Sequence, residues 1–140
     1  MVQIIAGDKG KGKTKQLLDK VNASLQTATG NLVFLDKNAK SMHELDRKVR
    51  LINVSDYPIT NVDEFMGFIS GIISQDNDLE EMYLDSFLTI ADVNTEDEIT
   101  KAIEKLDVIS EKYKVKFILS VSKNEEDLPA CAKAKIVISL

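Results

Sequence analysis

The residues best suited to chemistry form one short stretch, Gly7-Asp8-Lys9-Gly10-Lys11-Gly12-Lys13-Thr14. Glycines at 7, 10 and 12 permit backbone conformations that a side chain forbids, so successive N–H groups can turn inward around an anion. The apolar run Val2 to Ala6 before them reads as a buried strand, and Leu17, Leu18, Val21, Leu25 and Ala28 after them recur at helical spacing. A helix opening near Lys13 would aim the positive end of its dipole at the same anion. Lys13 would reach the β and γ phosphates of a nucleotide, and the Thr14 hydroxyl would ligate a bridging magnesium ion. Asp8, Lys9, Lys11 and Lys15 complete the expected phosphate-binding set. Between residues 8 and 20 five lysines (Lys9, Lys11, Lys13, Lys15, Lys20) stand against two acids (Asp8, Asp19), in a chain whose net charge is −5. A basic pole on an acidic body suits a small polyanion, and gives no global support for counterion-releasing binding to nucleic acid.

These eight residues satisfy Gly-x-x-x-x-Gly-Lys-Ser/Thr between a strand and a helix, the context that pattern requires. They resemble the Walker A motif of P-loop NTPases. Met82-Tyr83-Leu84-Asp85 is similar to the family's Walker B strand, and the resemblance implies that Asp85 holds magnesium through water. Two strands separate the loop strand from Asp85 and another follows it, a layout resembling the ATPase branch. In that branch the strand after Walker B inserts between it and the loop strand. The resemblance therefore implies ATP as the nucleotide, and a polar sensor at Ser120, Ser122 or Asn124.

The departures bear on activity. Related ATPases place a glutamate directly after the Walker B aspartate, and Ser86 stands there, so slow or partner-dependent hydrolysis is expected. Glu81 falls at the far end of the strand and Asp92 is the nearest downstream acid; Asp92 and Ser122 are the candidates for a catalytic role. Arg47 and Arg50, the only arginines, lie far from the loop in sequence. Asp85-Ser86-Phe87-Leu88 lacks the glycine of GTPases, and Ser122-Lys123-Asn124-Glu125 departs from their guanine-reading segment. Along its whole length the chain resembles short stand-alone ATPase-like P-loop proteins of Gram-positive bacteria, which implies a fold and a nucleotide but no pathway.

The elements that must position these residues alternate. Leu32 to Leu35 reads as a second strand, Val49 to Val54 as a third, Met82 to Leu84 as a fourth, and Phe117 to Val121 and Ile136 to Ile138 as two more. Ser41-x-x-Glu44 is a capping-box pattern expected to open a short helix with Met42, Leu45 and Val49 on one face. Asn61-x-x-Glu64 caps the next, whose apolar face holds Phe65, Phe68, Ile69, Ile72 and Ile73, with Gly67 and Gly71 spaced for a close neighbour. Thr95-x-x-Glu98 opens a long helix through Ile99, Ile103, Leu106, Ile109 and Tyr113, and a short one spans Leu128 to Ala134. Apolar strands without in–out alternation, interleaved with helices, predict an α/β fold. Its sheet is mostly parallel, of about six strands, flanked by helices on both faces. Ligands bind such sheets at the carboxyl ends of their strands.

At 140 residues, with 44% apolar and 29% charged residues, the chain reads as a single nucleotide-binding domain spanning 1–140. An elaborate function would then need a protein partner or self-association. Cys131 is the only cysteine and His43 the only histidine; the first reads as a small core residue and the second as a solvated one. No run approaches the ~18 apolar residues of a membrane span, and Met1 leads into an apolar strand without a basic leader, so a cytoplasmic protein with no membrane partner is expected.

Three functional classes follow. The first is a Mg-ATP-binding protein with slow or partner-dependent hydrolysis. The second is a small-molecule phosphotransferase using ATP, with Asp36 or Asp92 as base. The third is a P-loop fold that binds phosphate, or a partner, without catalysis.

Overall fold

The computed structural model describes residues 1–140. Six strands, β1 (Val2–Ala6), β2 (Asn31–Asp36), β3 (Arg50–Asn53), β4 (Leu79–Leu84), β5 (Lys116–Val121) and β6 (Ile136–Ser139), form one sheet in the order β3-β2-β4-β5-β1-β6. Every pairing is parallel. The helices are α1 (Lys13–Ser24), α2 (Val62–Ser74), α3 (Phe87–Ile90), α4 (Glu96–Tyr113) and α5 (Ala130–Lys133).

Parallel strands need crossover connections, and the helices that supply them cover the sheet. On one face α1 lays Leu17, Leu18 and Val21 over Ile5, Leu32, Phe34, Tyr83 and Ile118. On the other, α2 and α4 pack Phe65, Ile69, Ile103 and Leu106 against Ile4, Val33, Met82 and Phe117. Successive strand residues such as Ile4 and Ile5, or Phe117 and Ile118, thus enter opposite cores. Both members of each pair are apolar for that reason, and each such side chain contributes about 1.5–3 kcal/mol when removed from water.

Because all strands run the same way, their carboxyl ends share one edge of the sheet. Across that edge stand, in order, Leu140 after β6, the glycine-rich turn after β1, Ser122 after β5, Asp85 after β4, Lys37 after β2 and Val54 after β3. β5 lies between β4 and β1. The helix caps divide the helices into two kinds. Asn61 accepts the Glu64 N–H at the start of α2, and Thr95 with Glu98 forms a complete capping box on α4, each with acids in the first turn. Helix α1 has neither: it opens from Gly12 with no side-chain cap and no acid.

Several expectations give way. The segment after β2 is a single turn of 3-10 helix, Lys40–His43, with Ala39 rather than Ser41 in the capping position. Ser41 is buried and its hydroxyl serves the Asp36 carboxylate instead; Met42 is exposed. Gly67 and Gly71 face open space, with nothing within 4 Å of where a Cβ would stand, so no neighbour packs there. Tyr113 is half-exposed at the end of α4. Leu25 and Ala28 continue the helical spacing beyond Ser24, where the chain has already left α1 for turns. No helix is long and apolar enough to cross a membrane.

Candidate functional site

Beyond β1 the chain passes Gly7, where a Cβ would stand 3.0 Å from the Leu140 Cβ and 3.1 Å from its carbonyl oxygen. A side chain there would make Leu140 give way by a few tenths of an ångström and would sit on a backbone, φ 157°, that other residues rarely adopt. Gly10 (φ 81°) and Gly12 (φ 86°) are glycines for another reason: the space around them is open, but their backbone is left-handed, a region other residues enter at a cost. These two turns bring the chain round so that α1 starts pointing back over the sheet edge.

The first two residues of α1 then meet the end of β4. Lys13 is almost buried, and its Nζ donates to the Asp8 carbonyl oxygen at 2.8 Å, holding the loop across its own mouth. Thr14 Oγ1 donates to Asp85 Oδ2 at 2.9 Å. Asp85 is 3% exposed. Its Oδ1 accepts the Ser120 hydroxyl at 2.5 Å and the Ser86 N–H at 3.0 Å, and the same N–H donates to Ser120 Oγ at 2.7 Å. The carboxylate is thereby clamped from β5 on one side and from α1 on the other. Ser86 pays for this in backbone strain, with φ 53° in a residue that has a side chain.

Around these groups lies a cleft of about 300 Å³, lined by Lys9, Gly10, Gly12, Lys13, Thr14 and Asp85 together with Lys37, Ser86, Leu88, Thr89, Ser120 and Ser122. Burial pushes the Lys13 amine below the ordinary lysine range, against the pull of the Asp85 and Asp8 charges. Asp36, at the end of β2 and 3% exposed, shifts the other way. Burial and then the neighbouring Asp85 charge raise its carboxyl above the ordinary range, while hydrogen bonds from the Lys37 N–H, at 2.7 Å, the Ser41 hydroxyl and the Asn38 N–H oppose them.

The expected residues are distributed as follows. Lys9, Gly10, Gly12, Lys13, Thr14, Asp85 and Ser122 line the cleft. Gly7 lies beneath it, and Asp8 turns outward to accept the Asn124 amide at 3.1 Å, tying the loop to the segment after β5. Lys11 and Lys15 are exposed outside the lining, Lys15 3.6 Å from Asp19. Asp92 is exposed beyond α3 and is not part of the lining. Of the three sensor candidates, Ser120 is bound to Asp85, Ser122 opens on the cleft and Asn124 holds Asp8. Arg50 sits 3.7 Å from Asp76 at the opposite end of the sheet, and Glu81 accepts the Tyr83 hydroxyl at 2.7 Å; neither reaches the cleft.

Lys37 and Thr89 also line the cleft, though neither is among the residues expected there. Lys37 carried a faint signal, as the cation directly after a strand ending in Asp36. Thr89 carried none, because its place depends on α3 folding back over Asp85.

The arrangement is suited to a compact polyanion: left-handed turns, an uncapped helix start, and the amines of Lys9, Lys13 and Lys37. The Thr14 hydroxyl and Asp85 carboxylate fit magnesium, which takes one or two protein oxygens and draws the rest from substrate and water. No group of three histidine, cysteine or acidic residues offers an all-protein metal cage. A scan against protein-family models finds no family that matches the chain, and a search of curated proteins finds no match either.

Proposed function

We propose that Gly7 to Thr14 is a P-loop that binds a nucleoside triphosphate, ATP, with magnesium, and that hydrolysis by this chain is slow or waits on a partner. The observation that carries this reading is the convergence of Lys13, Thr14 and Asp85 at one end of the cleft, with Thr14 and Asp85 already 2.9 Å apart. Lys13, released from the Asp8 carbonyl, neutralises the β and γ phosphates, and the loop N–H groups and the start of α1 take their remaining oxygens. Magnesium, when bound, spreads the charge of the bridging oxygens. The position of β5 between β4 and β1 supports the ATPase branch.

What surrounds Asp85 favours a slow rate. No second carboxylate lines the cleft; Ser86 stands where a water-polarising acid is needed, and Asp36 is buried under hydrogen bonds from Lys37, Ser41 and Asn38. Occupying the loop also changes its tie to Asn124, and through it the surface after β5. That surface is where a protein partner, or a second copy in the cytoplasm, would read the bound nucleotide. The phosphotransferase reading keeps one supporting observation, a groove adjoining the cleft, and loses Asp92, which is outside the lining. A phosphate-binding or interaction module without catalysis is the reading left if nucleotide does not bind.

Thermal unfolding with Mg-ATP, Mg-GTP or magnesium pyrophosphate tests this. A ligand at a hundred times its dissociation constant adds about 2.7 kcal/mol, on the order of 10 °C for a domain of this size. The expected result is an ATP-selective rise that Lys13→Ala abolishes. Equal melting with and without every ligand removes the nucleotide reading, and single-turnover hydrolysis above about one per minute, set against ~10 per second for typical enzymes, removes the slow one.

A further inference from the structure

Crossing the sheet edge from β1 toward β3, the cleft does not end at Asp85. A second groove of about 280 Å³ adjoins it, sharing Lys37 and Thr89 and continuing over the end of β3. Its apolar lining is Tyr57, Ile59 and the almost fully buried Val54 and Ile90. Tyr57 is 50% exposed, with its ring centroid 5.1 Å from that of Phe68 on α2. Away from the junction, Ser55 is the one other polar residue in the lining.

We propose that this groove is a second small-molecule subsite, which takes an uncharged alcohol with an aromatic or branched apolar body and turns its hydroxyl toward the end of the phosphate chain. The inference rests on the nucleotide reading above. If Lys13 and Thr14 hold the phosphates, the ends of β2 and β3 lie on the far side of Asp85 from the loop, so the groove opens beyond the terminal phosphate. Its volume, about 280 Å³, falls just below the range of about 300–1,000 Å³ usual for ligand pockets and admits a small body only. No acid lines it, which disfavours an amine, and its single cation, Lys37, sits at the junction where phosphate charge falls. Tyr57 and Ile59, with the edges of the buried Val54 and Ile90, offer contact to an apolar body, and Thr89, at the junction, is left to orient the hydroxyl, since the Ser55 hydroxyl already donates to Asn53 Oδ1 at 2.7 Å.

The test uses the full chain, labelled with ¹⁵N and saturated with magnesium and the non-hydrolysable analogue AMP-PNP, titrated with benzyl alcohol while amide shifts are followed. The expected result is a saturable response confined to residues 54–59 and 88–91, weakened at least tenfold by Tyr57→Ala and by Ser55→Trp, which fills the groove from another side. Both variants should keep the AMP-PNP response of residues 7–14. Absence of a saturable response at the groove up to the solubility limit of benzyl alcohol overturns the proposal, as does a response elsewhere only. So does AMP-PNP itself shifting residues 54–59 and blocking the alcohol, since the groove would then hold the base. Silence of residues 7–14 toward Mg-AMP-PNP overturns the nucleotide reading, a different failure with its own signature.

Discussion

At the scale of single residues, the site is built from charges that the fold holds close together against their preference. Asp36 and Asp85 end neighbouring strands, both 3% exposed, and Asp36 carries the consequence as a raised pKa caused first by burial and then by Asp85. The sign is fixed by linkage. A carboxyl whose folded pKa lies above its ordinary value of 3.8 binds its proton more tightly in the folded state. Its charge therefore costs stability increasingly as pH rises from about 4 through the folded pKa. Asp36→Asn removes that charge and keeps an oxygen for the Lys37 N–H. The variant is expected to be more stable than the parent at pH 7, the gain shrinking to nothing below about pH 4. Urea unfolding from pH 3 to 8 reads this directly, and no gain at pH 7 would show that Asp36 is held as a charge by its hydrogen bonds.

At the scale of elements, helix starts separate structural work from chemistry. Helices α2 and α4 spend a side chain on their first N–H groups, Asn61 at 2.8 Å from the Glu64 nitrogen and Thr95 at 3.2 Å from that of Glu98. Helix α1 leaves its own start to the glycine turn. Thr95→Ala should cost about 1 kcal/mol, the usual value of a lost N-cap, and loosen the first turn of α4 in hydrogen exchange. The rise in melting temperature proposed for Mg-ATP should survive, because α4 begins well outside the cleft. Loss of that rise together with the cap would mean that the sheet edge and α4 unfold as one unit with the loop.

For the molecule as a whole, all six strands belong to one sheet. β5 joins the loop strand to the strand of Asp85, and Phe117 within it is fully buried among residues of β1, β4 and α4. Phe117→Ala should cost about 3–5 kcal/mol through lost burial and the cavity left behind. The urea midpoint would fall with little change in slope. A changed slope would instead signal that the two sides of the sheet part company before the rest unfolds.

Local chemistry was legible from the residues alone wherever it is written in short-range spacing. The six apolar runs became six strands, Asn61 and Thr95 became caps, and the glycines at 10 and 12 sit where the backbone is left-handed. Spacing failed where a side chain had a distant claimant. Ser41 matches a capping box, yet its hydroxyl belongs to Asp36; Gly67 and Gly71 match a packing pair, yet face open space. No periodicity reports that Thr14 meets Asp85 across 71 residues of chain, or Ser120 across 35, nor that Lys37 and Thr89 close one cleft and open another. The sequence by itself determined the six strands, the helices α1, α2, α4 and α5 and the glycine-rich turn, but not α3, because the former depend on neighbours a few residues away. The tertiary structure alone decided which strand ends stand side by side. That order follows from how the crossovers pack on the two faces, and it selects which buried charges and hydroxyls share a site.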